Sequence, residues 1–187
     1  MELWDVYDVH RVRQNREVVR GQTLQTGDYH LVVHLCLFNS QGQMLIQQRQ
    51  KNKDGWPNLW DLTVGGSALR GESSQQAVER ELAEELGLHL ELSQARPHMT
   101  VNFPDGFDDV YLIEEDIDLN TLSFQPEEVQ AARWADQDDI LAMIENETFL
   151  PYFPDLIRLI FVMRRQYGWL RHEDLSESAN KNAFLED

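Results

Sequence analysis

Apolar residues alternate with polar ones, or run unbroken over five to ten positions, through most of this chain. Such runs, bounded by Gly, Pro, Asn and Asp, predict strands. Leu3–Tyr7 and Glu17–Arg20 pair around a polar turn as an N-terminal hairpin. Tyr29–Phe38 is a long strand rich in β-branched and apolar residues, and Asn39–Gly42 turns it back into Met44–Gln48. Lys51–Asn58 reads as a polar loop, Trp60–Val64 as a further strand. Leu90–Val101 and Asp108–Ile117 form strands around a Pro-Asp-Gly turn at 104–106, and Ala131–Ala135 forms another. The period changes to that of a helix over Gln75–Leu86, where Val78, Leu82 and Leu86 recur every fourth residue. It does so again over Asp136–Ile144, with acids at its positive end, and after Pro154, where Leu156, Ile157, Leu159, Ile160 and Met163 make a broad stripe. Strands, a helix, more strands and two helices, in that order, fit an α/β/α sandwich around a central mixed sheet. The expected boundaries are a β-hairpin extension over 1–28, one catalytic-size domain over 29–165 and a polar tail over 166–187.

Composition narrows the partners. The chain has 187 residues, 42% of them hydrophobic, and 33 acidic side chains against 16 basic ones give a formal charge of −17. A surface of that sign disfavours nucleic acid and anionic membrane, so any phosphate must be held by cations placed locally. The single cysteine, Cys36, lies in an apolar strand as a small core residue. With no possible intrachain disulfide, a cytoplasmic location is expected. No apolar run approaches 18 residues, and the N-terminus lacks the form of a signal peptide. The hairpin and the last helix are candidate surfaces for a homodimer.

The chemistry is concentrated in Gly66–Leu88, GSALRGESSQQAVERELAEELGL. Ser73 and Gln76 have the spacing of a capping box, and Gly87 stands where a helix needs a left-handed residue. Between them Glu81, Glu84 and Glu85 fall on one flank of the helix, beside the apolar stripe. Arg80 reaches Glu84 at i,i+4. Carboxylates this close repel, and a hard divalent cation reverses the sign. Magnesium, which takes oxygen ligands from a few carboxylates and from substrate phosphates, suits the pattern. A solvated acidic helix face is the plainer alternative. Seven positions are specified by type, however, and at about one in sixteen each the chance of a match is on the order of one in 10⁸.

The stretch resembles the Nudix box, G-x5-E-x7-R-E-U-x-E-E-x-G-U with U aliphatic, and departs from it nowhere. The resemblance implies a hydrolase that cleaves diphosphates linked to another group, mostly nucleoside diphosphate derivatives, with Mg2+ or Mn2+. It implies metal ligation by Glu81, Glu84, Glu85 and the Gly66 carbonyl. Arg80 would orient Glu84, and Glu72 would support the site. Trp4-Asp5-Val6-Tyr7-Asp8, Arg20-Gly21, Gly27-Asp28-Tyr29-His30, Gln48-Arg49, Lys53, Trp56-Pro57 and Trp60-Asp61 extend the similarity to the branch resembling isopentenyl-diphosphate isomerase. From that branch Arg49 and Lys53 are implied to grip a diphosphate. The isomerase's proton-transfer cysteine, however, falls at Gly65, its metal histidine at Ser67 and its glutamate near Asp109, so isomerase chemistry is not expected. A noncatalytic nucleotide-sensing module remains a further alternative, against which the intact box argues.

Within the hydrolase reading, Glu84 is a candidate to take a proton from the attacking water. The loop acids Glu127, Glu128, Asp108 and Asp109 are others. His30 and His34 share a strand face with Val32 and Cys36, as the period of two requires. A pair so placed can pack, line a substrate pocket or bind metal. Trp56, Trp60 and Phe107 can stack on a base or fill the core. What lies beyond the diphosphate is not written in the box.

Overall fold

The computed structural model describes residues 2–168. The expected tail therefore falls almost wholly outside the described residues. The elements in chain order are β1 (Leu3–Tyr7), β2 (Arg13–Val19), β3 (His30–Phe38), β4 (Met44–Arg49), β5 (Trp60–Asp61) and β6 (Val64–Ser67). There follow α1 (Ser74–Leu86), β7 (Met99–Phe103), β8 (Gly106–Glu114), β9 (Val129–Ala135), α2 (Gln137–Glu145) and α3 (Pro154–Met163).

A seven-stranded mixed sheet forms the middle layer. Its path is β5-β4-β3-β8-β7, with β6 also on β3 and β9 also on β4. β8 runs parallel to β3 and every other pairing is antiparallel. Odd positions of β3, Leu31, Val33, Leu35 and Leu37, face α1 and its stripe of Val78, Leu82 and Leu86, all buried. Even positions Cys36 and Phe38, with Met44, Ile46 and Leu112, face α2 and α3 through Ile140, Ile157, Ile160 and Phe161. Burial of each large aliphatic side chain contributes about 1.5–3 kcal/mol, so both helical layers are held by the strand alternation visible in the sequence. The α/β/α sandwich expected from the element order is the fold observed.

The sheet is split where the site will lie. β3 and β4 share one registered pair, Phe38 with Met44, and then diverge. The expected strand at 60–64 is two short strands that bridge the gap: β5 pairs with β4, and β6 pairs with β3 from Val32–Ser67 to Leu35–Val64. Between them Thr63, wholly buried, sends its hydroxyl into the opening. Its Oγ1 accepts from the Leu37 amide at 2.8 Å and donates to the Leu45 carbonyl at 2.5 Å. One hydroxyl thus satisfies a donor and an acceptor that a continuous β3–β4 ladder would have paired directly.

The strand expected over Leu90–Val101 begins only at Met99. The preceding residues are a loop that follows α1. Its Leu92 amide donates to Glu79 and its Ala95 carbonyl accepts from Gln75, both on α1. Leu88 and Leu92 are buried in the α1 layer. The alternation there reflects docking onto a helix and not a sheet face.

The hairpin β1–β2 is a separate two-stranded sheet that caps the start of β3 and the loop before α1. Tyr7 and Tyr29 exchange backbone bonds of 2.8 and 2.9 Å, and the Arg70 amide donates to the Leu3 carbonyl at 2.7 Å. The Arg11 guanidinium pairs with Asp109, which is 1% exposed. No helix among the described residues is long and apolar enough to cross a membrane.

Candidate active site

α1 is fixed at both ends as its sequence requires. The Ser73 side chain accepts from the Gln76 amide, and the Gln76 side chain accepts from the Ser73 amide. Gly87 has φ 69°, a conformation that costs glycine little. One turn of this rigid helix carries the box residues to the mouth of the split sheet. Glu85 points inward and is only 6% exposed. Gln47 of β4, itself 3% exposed, donates its side-chain amide to Glu85 Oε2 at 2.9 Å.

Arg80 joins the other carboxylates. Its Nε donates to Glu72 at 2.8 Å, and one terminal nitrogen donates to Glu81 at 2.9 Å and Glu84 at 3.0 Å. The other terminal nitrogen reaches Glu72 and the Ser67 carbonyl. Burial pushes the Glu81 carboxyl above the ordinary carboxylate range against the pull of Arg80. Burial, reinforced by Glu81, Glu128 and Asp61, pushes Glu85 well above it. The two deepest acids of the box therefore hold negative charge only at a cost in the bare protein.

The tandem glycines are explained one face at a time. A Cβ on Gly66 would stand 2.0 Å from Glu81 Oε1, so only glycine lets this carboxylate lie against the strand. A Cβ on Gly65 would stand 2.5 Å from Cδ2 of the His34 ring, on the opposite face.

A cleft of about 150 Å³ opens here. Glu81, Glu84 and Glu85 meet four cations in it: Arg20, Arg49, Lys53 and Arg80. Arg49 is held by Asp61 at 3.3 Å and by the Gly55 carbonyl at 3.0 and 3.2 Å, while Lys53 is ion-paired with Glu128. This is the local positive charge that a chain of charge −17 needs in order to hold a phosphate.

The structure brings Gly66, Arg80, Glu81, Glu84, Glu85, Arg49 and Lys53 together. Among the proposed proton acceptors, Glu84 and Glu128 line the cleft and Glu127 does not. Asp108 is bonded to His34, and Asp109 to Arg11 and Thr100. His30 lies outside the cleft: it stacks on Trp4 at 4.3 Å, meets Phe103 edge-on, and burial pushes its ring below the ordinary imidazole range. Trp56 is also outside it, 53% exposed on the polar loop. Phe107 is buried against Tyr29, and Trp60 lies under Arg133.

Three residues escaped the sequence reading. Arg20 and Glu2, bonded to each other at 2.6 Å, reach the cleft from the hairpin. Arg20 stood in a quoted motif without a role, and only the docked hairpin gives it one. Gln47 carried a faint signal, as a polar residue at an inward position of an apolar strand.

A divalent cation can be tested against these residues. The donors are hard oxygens, the Gly66 cradle places Glu81 against the strand, and the buried Gln47 Oε1 has no partner beside Glu85. All three fit Mg2+ or Mn2+. Among the described residues no three His, Cys, Asp or Glu side chains already stand close enough to chelate one. Arg80 engages Glu81 through Oε1 and Glu84 through Oε2, one oxygen of each.

Comparison with known proteins gives the family. The NUDIX domain model matches residues 28–155, and the chain belongs to the Nudix family. An uncharacterised Nudix hydrolase of Listeria monocytogenes is 47% identical over 153 residues, covering 82% of this chain and 90% of that protein. A Salmonella arizonae isopentenyl-diphosphate Δ-isomerase is 29% identical over 135 residues, 67% of this chain and 71% of that protein. The crystal structure of a Deinococcus radiodurans protein superposes with a TM-score of 0.67 at 27% identity, covering 89% of this chain and all of that one.

The His34 ring sets an expectation for Gly65. Gly65→Cys should cost about 1–3 kcal/mol by overpacking, and adding His34→Ala should recover part of the loss, as read by urea denaturation. Equal stability of wild type and Gly65→Cys would show that the ring yields freely.

Proposed function

We propose that this protein is a divalent-metal-dependent Nudix hydrolase that cleaves the diphosphate linkage of a nucleoside diphosphate derivative or related small diphosphate. The observation that carries the proposal is the meeting, in one cleft, of the α1 carboxylates and Gly66 with three cations from other elements, Arg20, Arg49 and Lys53. Glu81, Glu85, Glu84 and the Gly66 carbonyl would hold Mg2+ or Mn2+. A cation there supplies charge neutralisation and water activation.

The chain's own residues do the rest. Arg49, prealigned by Asp61 and Gly55, offers a fork to one phosphate. Lys53 and Arg20 offer point and fork charges to the other, exchanging their present partners, Glu128 and Glu2, for phosphate oxygens. Release of Lys53 frees Glu128 to accept a proton from the attacking water. Glu84, 52% exposed, is the second acceptor. Arg80 stays charged under the pull of its carboxylates and keeps them aimed.

A screen of diphosphate compounds with Mg2+, reading phosphate released after phosphatase treatment, tests the proposal. Turnover of at least one compound is expected, and it should disappear in EDTA. Turnover undiminished by EDTA, or none with any diphosphate, defeats the assignment. Isopentenyl diphosphate should yield no isomer.

A further inference from the structure

The face of β6 opposite Glu81 carries a second polar group, outside the machinery described so far. His34 and Asp108 lie on the sheet face that packs α2 and α3, a layer otherwise made of Cys36, Phe38, Ile46, Val110 and Leu112. The His34 Nδ1 is 2.9 and 2.8 Å from the two Asp108 oxygens. Each side chain keeps 20% of its surface exposed, so the pair is not sealed in the core. The ring edge with Cδ2 and Nε2 rests over the bare α-carbon of Gly65, a cleft residue, and Nε2 has no protein partner among the described residues. Asp61 and Arg49 lie near enough to act on the ring's charge, and Arg49 also lines the cleft. The His34–Asp108 pair and the diphosphate cleft therefore adjoin at Gly65.

Placing a His–Asp pair in an apolar layer costs free energy unless every polar atom is served. Asp108 serves Nδ1 and thereby fixes the ring's orientation. Nε2 is left to accept a hydrogen bond when the ring is neutral and to donate one when it is charged. A hydrocarbon laid against it would strip its water and offer nothing in return.

We propose that His34, oriented by Asp108, is a specificity-determining residue that hydrogen-bonds through Nε2 to the group attached to the diphosphate, so that this group bears hydroxyl or amide functions, as a sugar or nucleoside does, and is not a hydrocarbon chain. The proposal rests on the reading of the cleft as a diphosphate site.

The test is equilibrium binding by calorimetry in EDTA, separate from turnover, with UDP-glucose and ADP-ribose compared against isopentenyl diphosphate. Wild type should bind at least one of the two nucleotide ligands more tightly than isopentenyl diphosphate. His34→Leu should weaken that ligand by roughly 10–100-fold, the loss expected when a site built around a hydrogen bond loses it. Isopentenyl diphosphate should change by less than about threefold, because it never used the bond. His34→Gln, whose amide can still hydrogen-bond, should recover most of the preference. If His34→Leu does not fold, Asp108→Asn, close in size but without the charge that orients the ring, should lower the same ratio. Equal weakening of all three ligands would mark a structural role and overturn the proposal, as would equal binding of all three by wild type. If no ligand binds wild type, this inference falls, and the diphosphate reading is judged separately by the Mg2+ turnover screen.

Discussion

Glu85→Gln will lower kcat on any diphosphate substrate on the order of 10³-fold, the scale expected when a principal charge-stabilising group is removed, and will leave the bare protein at least as stable as wild type. Both halves follow from burial. Glu85 is 6% exposed, with Glu81, Glu128 and Asp61 nearby, and among the described residues only the Gln47 amide donates to its side chain. The substituted side chain has nearly the same shape, and its amide oxygen can still accept from Gln47.

The sign of the pH effect follows from the raised carboxyl. The folded protein holds the Glu85 proton more tightly than the unfolded chain does. Stability from this group is complete below the ordinary carboxylate value of 4.5 and is lost as pH rises through the folded value. In EDTA, wild-type Tm should therefore fall between pH 5 and 8 relative to Glu85→Gln. Mg2+ at pH 8 should raise wild-type Tm and leave the variant little changed. A variant with wild-type kcat, or one that gains as much Tm from Mg2+, would remove Glu85 from the metal site.

Arg80→Ala is expected to be the most damaging single change to the fold of the site, at about 3 kcal/mol, because it leaves buried carboxylates unpaired. Glu72 and Glu81 are 19% and 13% exposed, and both are bonded to this guanidinium, which also closes on the Ser67 carbonyl. kcat should fall about 10²-fold as well, since Glu81 and Glu84 lose the group that aims them. Arg80→Lys should recover only part of either loss, because a point charge cannot serve acceptors on three sides. Urea denaturation and steady-state kinetics measure the two effects. A loss below 1 kcal/mol for Arg80→Ala would show that the carboxylates repel less than their burial implies.

Local pattern made much of this molecule legible. The α1 helix, its capping box and its Gly87 terminus follow from side chains within fourteen positions of one another, and the structure keeps all of them. The alternation of β3 and the stripes of α1 and α3 likewise divide the core into its two layers. The Leu90–Val101 stretch shows where such reasoning stops. Alternating leucines record only that every second side chain is buried. They do not say whether the backbone bonds to a strand or, as here, to Glu79 and Gln75 of a helix.

By itself the sequence determined the sandwich and the helix that carries Arg80, Glu81, Glu84 and Glu85, because capping, periodicity and charge spacing act over a few residues. Tertiary structure alone decided that the sheet splits at Thr63, that Arg20 arrives from the hairpin, that Gln47 bonds Glu85 and that His34 fills the space beside Gly65. Each of these pairings joins residues 18 to 61 positions apart, from Thr63 with Leu45 to Arg20 with Glu81. The physical reason is that burial and electrostatics depend on distance in space, and only the packed fold brings separate strands to that distance.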